Sequence, residues 1–221
     1  MSDAYGDSEE LEALRHWWSE NWKTLVAGVV IGLIGVGVWQ GWTRYQAAHR
    51  MAAANLYADF QHALTQDKGA GAPAVAQKLT ADYGGTPYAS VASLKLAQED
   101  VSKSQYAAAA ERLQWVADHG DDAGLRSVAR LRLAAVLWQE GKDMDALAKL
   151  AHPPKNFTGL YAELRGDIQA SRGDKAAARS AYEEALAALP QDSAERTTVQ
   201  AKLSGIAVAP PTAAASVAVK P

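Results

Sequence analysis

The feature that most limits what this chain can become is a run of twenty residues without a charge, TLVAGVVIGLIGVGVWQGWT, between Lys23 and Arg44. At about 1.5 Å rise per residue such a run makes a helix of about 30 Å, the thickness of a bilayer's hydrocarbon core. A buried helix of a soluble protein is rarely apolar on every face over such a length. Trp17, Trp18 and Trp22 precede it and Trp39, Trp42 and Tyr45 close it, where amphipathic rings settle at two membrane interfaces. A cleaved signal peptide would have a shorter apolar core and a small-residue cleavage site, whereas bulky aromatics stand here. Residues 23–43 are therefore expected to form one uncleaved transmembrane helix in contact with the lipid bilayer.

Two properties of the span stay open at this level. Arg15 and Lys23 flank one side and Arg44 and Arg50 the other, so counting positive charges does not orient it. Gly28, Gly32 and Gly35 follow i, i+4, i+7 spacing and share one helix face, a surface on which a second helix packs closely. The alternative is that glycine is simply common in membrane helices.

Charge separates the regions on either side. The first 23 residues hold six acids against Arg15 and Lys23, while the remainder balances 20 Lys and Arg against 19 Asp and Glu. The basic residues form no stripe, which argues against a nucleic-acid partner. With no cysteine, disulfides and thiolate chemistry are excluded.

From Thr43 to Lys68 there is neither Gly nor Pro, and Met51, Leu56, Tyr57, Phe60 and Leu64 recur near the helical period, so the membrane helix is expected to continue as one long helix. Residues 67–73, DKGAGAP, read as a connection. Helix-length segments then come in pairs. In each, a small residue in an apolar helix is followed by a polar turn and, twelve positions on, an alanine: Ala97 with Ala109, Ala134 with Ala146, and Gly166 with Ala178. The third copy, with Gly166, Gly173, Ala178, Tyr182, Ala185 and Pro190, has the order of a tetratricopeptide repeat. Small residues let the two helices of a hairpin cross closely, the aromatic fills the gap beyond, and proline ends the second helix. The first copy keeps Leu96, Ala97, Ala109 and Leu113, and the second is cut short by Pro153 and Pro154. A chance pattern in an alanine-rich chain, folded as an ordinary bundle, is the competing reading.

The expected fold is all-α: an acidic segment at 1–22, the transmembrane helix at 23–43, and a helical-repeat domain at 44–205. Its last helix, 192–204, opens on an Asp192/Ser193 cap, and an Ala/Pro tail at 206–221 is too poor in large apolar residues to pack.

The sequence offers little for catalysis. His16, His49, His62, His119 and His152 are scattered, no metal-ligand spacing occurs, and GxSxG and phosphate-binding loops are missing, so neither an enzyme nor a cofactor is expected. Asp121/Asp122 and Glu183/Glu184 read as solvated charge beside turns or on a polar face. In the repeat register Gln98, Trp138, Gln139, Glu163 and Asp167 fall on the inner face of the first helices, where they would line a groove for a peptide or partner helix. Packing between helices is the other reading of Trp138.

The order of parts from Leu11 onward resembles the YfgM family, ancillary subunits of the bacterial Sec translocon: an acidic start, HWWSENWKTLVAGVVIGLIGVGVW, a long helix and degenerate repeat hairpins. LRGDIQASRGDKAAARSAYEEAL, residues 164 to 186, is similar to the most characteristic segment of that family. The resemblance implies an inner-membrane protein with a cytoplasmic N-terminus and a periplasmic repeat domain. It implies as partners SecYEG and the periplasmic chaperone PpiD, with unfolded polypeptides as clients. A scaffold for another envelope complex, and a stress-response regulator acting through the acidic segment, are the alternatives.

Overall fold

The computed structural model describes residues 4–66 and 69–206, and for 4–14 only the backbone. The expected tail lies almost wholly outside the described residues. Among those described, every regular element is helical. The chain divides into two units, one up to Ala52 and one from Ala53 onward.

The first unit consists of helix α1, Ala4–Thr65, as far as Ala52. It holds the one described helix long and apolar enough to cross a membrane. Every large apolar side chain from Leu25 to Val38 is exposed on the isolated chain, as befits a segment whose solvent is lipid. His16 lies 3.6 Å from Glu20, and the rings of Trp42, Tyr45 and His49 follow one another along the helix at centroid distances of 6.4 and 5.9 Å.

The second unit begins with the last turns of α1 and continues through α2 (Ala72–Asp82), α3 (Pro87–Ser102), α4 (Tyr106–His119), α5 (Ala123–Gln139), α6 (Asp143–Lys149), α7 (Thr158–Ser171), α8 (Lys175–Ala188) and α9 (Ala194–Gly205). The connection before α2 is shorter than the expected 67–73, because Ala72 and Pro73 belong to the helix. Proline is tolerated there, in a first turn whose N–H groups have no partner inside the helix. Pro87 likewise stands in the first turn of α3. Asp122, Asp174 and Ser193 cap α5, α8 and α9 by accepting the N–H of Leu125, Ala177 and Arg196. Thus Asp122 of the Asp121/Asp122 pair is a helix cap.

The pairs α3/α4, α5/α6 and α7/α8 are the three expected hairpins, and their turns coincide in detail. Ser104, Gly141 and Gly173 all take positive φ, at 58°, 76° and 82°. Each stands seven residues after the small residue of its repeat. In each, the next N–H bonds back five residues: Gln105 to Asp100 O, Lys142 to Leu137 O and Asp174 to Gln169 O, at 2.8 to 2.9 Å. This is the left-handed helix stop that glycine favours, made in the first hairpin by a serine.

The second hairpin is short for the expected reason. α6 ends at Lys149, whose carbonyl is the one that the Pro153 ring would strike if the helix ran on. α8 ends before Pro190, which holds Leu189 extended at φ −75° and ψ 143°.

The core runs as three neighbouring clusters. Phe60 packs with Ala72, Ala76 and Leu79 of α2 and with Ala89, Ala92 and Leu96 of α3. The middle cluster joins α3 to α7 around Leu113, Val116, Leu133, Leu150, Tyr161 and Ile168, and Trp115 bridges it to the first. The last gathers Ala162, Ala178, Tyr182, Ala185 and Val199. The small residues of the repeat motif sit where helices cross: Ala97, Ala109, Ala134, Ala146 and Ala178 are buried, and a Cβ on Gly166 would stand 2.5 Å from Tyr182 Cε1.

Arginines of a following helix seal the ends of the helix before it. Arg126 and Arg130 of α5 donate to Gly120 O and Ala117 O, and Arg196 of α9 donates to Leu186 O and Leu189 O. Cations there satisfy carbonyls that lack helical partners and lie favourably at the negative end of the helix dipole. Tyr161, fully buried, donates to Ser127 O at 2.8 Å, and its burial pushes its pKa up, against a smaller lowering by Arg130.

Candidate functional site

The residues expected to line an inner groove separate into two groups. Gln98 on α3 is exposed and borders an apolar cavity of about 210 Å³ between α3 and α5. Its walls are Leu94, Ala97, Val101, Leu113, Ala135 and Val136. Arg132 stands at the same opening. Among the described residues from Ala53 onward, Val101 and Met144 are the exposed large apolar side chains, and Val101 is at this cavity.

Trp138 is partly buried against the middle core cluster, and its Nε1 donates to Ser171 Oγ of α7 at 3.1 Å. Its ring thus helps hold α5 to α7. Gln139, next to it, is exposed.

Glu163 and Asp167 on α7 are engaged elsewhere. Lys202 of α9 reaches both carboxylates at 2.7 Å, and Asp167 also accepts the Tyr182 hydroxyl of α8 at 2.8 Å. Burial lowers the Lys202 pKa, but the hydrogen bonds and charges of Asp167 and Glu163 together outweigh it and hold the ammonium above its ordinary value. Burial raises the Tyr182 pKa, helped by the hydrogen bond to Asp167 and by the charges of Asp167 and Glu163. At this end the two α7 carboxylates dock the closing helix. The α3/α5 end instead carries an open apolar pocket.

Sequence reasoning missed Arg132, Val101 and Ala135. The signal was present in the repeat register, which aligns Gln98, Ala135 and Asp167 as the residues following Ala97, Ala134 and Gly166. A small residue at 135, between two polar ones, leaves the pit that becomes the cavity.

Gly28, Gly32 and Gly35 sit on the open surface of the first unit, and a Cβ at any of them meets nothing within 4 Å. Of the Glu183/Glu184 pair, Glu183 pairs with Arg179 on the same helix and Glu184 with Arg165 of α7. Among the described residues no three His, Asp or Glu side chains gather as metal ligands would.

A span followed by repeat hairpins can be compared with known proteins as a whole. The tetratricopeptide repeat-like domain family matches residues 15–208, from the flank of the membrane helix to the end of α9. Curated relatives are similar over nearly their full length. One from Escherichia coli strain K12 is 35% identical over 80% of this chain and 85% of its own. One from Haemophilus influenzae is 32% identical over 84% of this chain and 91% of its own, and one from Neisseria gonorrhoeae is 29% identical over 90% and 97%. All three are named ancillary SecYEG translocon subunit. The chain belongs to that family. The resemblance drawn from Leu11 onward is thereby established across the span and the repeat domain together. No solved structure matches the chain.

Proposed function

We propose that this chain is a membrane-anchored, non-enzymatic adaptor at the Sec translocon, in the inner membrane, with its acidic N-terminal segment in the cytoplasm and its repeat domain in the periplasm. The observation that carries this reading is the naming of curated relatives as ancillary SecYEG translocon subunits over a match that includes both the span and the repeats. The architecture supports it. One helix is long and apolar enough to fix the chain in a bilayer, and the stack beyond carries an inner face with an unfilled apolar pocket. Anchoring raises the local concentration of that face around membrane-bound partners, so contacts too weak to persist in solution are occupied.

On this reading the domain binds a membrane-anchored periplasmic chaperone of the PpiD type and helps to hand over emerging polypeptides. The glycine face of the span, Gly28, Gly32 and Gly35, is proposed as the packing surface for a neighbouring transmembrane helix.

Affinity purification of the full-length chain from inner membranes in mild detergent tests the reading: SecYEG and a PpiD-type chaperone are expected in the eluate. Recovery of neither would remove it. Because the chain has no native cysteine, single cysteines placed before and after the span report orientation through a membrane-impermeant maleimide. Labelling of a residue-10 cysteine from the periplasmic side would contradict the topology.

A further inference from the structure

The cavity between α3 and α5 combines three properties that together describe a ligand. Its walls are aliphatic, and at about 210 Å³ it exceeds the ~150 Å³ engineered cavity that accepts benzene, so it has room for a branched aliphatic side chain. Its rim is polar and open to solvent: among the described residues the exposed Gln98 amide and Arg132 guanidinium have no hydrogen-bonding or ionic partner in the protein and are free to meet a ligand. The contrast with the neighbouring arginines is direct. Arg112 pairs with Asp100 at 2.7 Å, Arg126 and Arg130 hold carbonyls of α4, and Arg165 pairs with Glu184.

The charged side chain that lines the opening is a cation, Arg132. Lys95 occupies on α3 the repeat position that Arg132 occupies on α5, and it too is exposed and unpaired among the described residues. The two acids next to the lining residues in sequence have partners: Asp100 pairs with Arg112, and Glu99 lies 3.5 Å from Lys103. A guanidinium fork offers paired donors to a carboxylate, and a primary amide offers a donor and an acceptor to a peptide backbone. We propose, on the adaptor reading above, that the α3/α5 pocket docks a partner segment in which an aliphatic side chain is flanked by acidic residues. The aliphatic side chain enters between Leu94, Val101, Ala135 and Val136, a flanking carboxylate meets Arg132, and Gln98 bonds the backbone between them. Segments with basic flanks are disfavoured by the Arg132 cation at the rim.

The test uses the full-length chain in detergent micelles and a fluorescein-labelled nonapeptide with Leu between two Asp in a Gly/Ser background. One twin carries Lys for both Asp, and another Ser for Leu. Fluorescence anisotropy is expected to show the Asp/Leu peptide binding at least tenfold tighter than either twin. Arg132→Glu should reverse the charge preference toward the Lys peptide, and Ala135→Trp, which fills the cavity, should abolish binding of all three with helical circular dichroism unchanged. Equal binding of the Asp and Lys peptides, no binding of any, or an unchanged preference in Arg132→Glu would overturn the proposal, and that last outcome stands whether or not Ala135→Trp folds. SecYEG recovery with the wild-type chain is scored separately. If it persists while the peptide preference fails, the adaptor reading stands and this pocket's role does not.

Discussion

The α3/α5 stretch and the α7/α8/α9 stretch are built from the same repeat, yet they use equivalent repeat positions in opposite ways. In the last hairpin these positions on α7 carry Glu163 and Asp167, and Lys202 of α9 takes both, so the stack is closed where it ends. In the first two, the corresponding surface is Leu94, Gln98, Val101 and Ala135, around a cavity that no side chain fills. A repeat stack exposes a new apolar face with every unit added, and the last face must be covered for solubility. Closing one end with partly buried charge while leaving aliphatic surface open at another separates stability from binding. It also means that changes at the two places should report on different properties.

The largest effect is expected at the crossing of α7 and α8. The Cβ that any substitution adds to Gly166 meets the Tyr182 ring at 2.5 Å, and the ring is locked by its hydroxyl on Asp167. Gly166→Ala should destabilise the domain by about 2 kcal/mol, in the range for overpacking, and Gly166→Leu should unfold this hairpin. Urea unfolding followed by circular dichroism measures both, and a neutral Gly166→Leu would break the comparison at its closed end.

Next in size is the Lys202 clamp. Lys202→Met leaves two carboxylates, 17% and 22% exposed, without their cation, and should cost about 1–2 kcal/mol. Its pH dependence has a definite sign. The folded-state pKa values of Lys202, Tyr182 and Tyr161 all lie above their ordinary 10.5 and 10.0. Their contribution is complete below pH 10 and is lost as the pH rises through the folded values. Stability should therefore fall on the alkaline side, and Lys202→Met should flatten part of that fall. A steeper alkaline loss in the variant would contradict the clamp.

Much of this was legible in the sequence and some was not. The span was plain because an uncharged run of twenty residues has few other uses. The repeat register was legible through the small residues, since close helix crossings exclude side chains. It even located the turns, although not that Ser104 adopts the left-handed conformation that Gly141 and Gly173 adopt. The inner face was harder. Polarity drew attention to Glu163 and Asp167, but a carboxylate at a repeat position looks the same whether it faces a ligand or a lysine 35 residues later. The pocket was missed because it is made by what is small, Ala97 and Ala135, and small residues carry no chemical signal of their own.

The smallest change expected concerns that serine. Ser104→Gly relieves a positive φ of 58° and should raise stability by about 0.5–1 kcal/mol, with no effect on partner recovery. Thermal unfolding reads the first and detergent co-purification the second. A loss of stability would show that the serine is held there by something beyond the shared turn.

The proposal that the open α3/α5 pocket, and not the closed α7/α9 end, receives the adaptor's partners can be decided by photocrosslinking in intact inner membranes. A photoreactive residue at Gln98 and, in a second strain, at Asp167 samples equivalent repeat positions on the two faces. Adducts with SecYEG or a periplasmic chaperone from position 98, and none from position 167, are the expected result. Equal adducts from both positions, or adducts from position 167 alone, would contradict it.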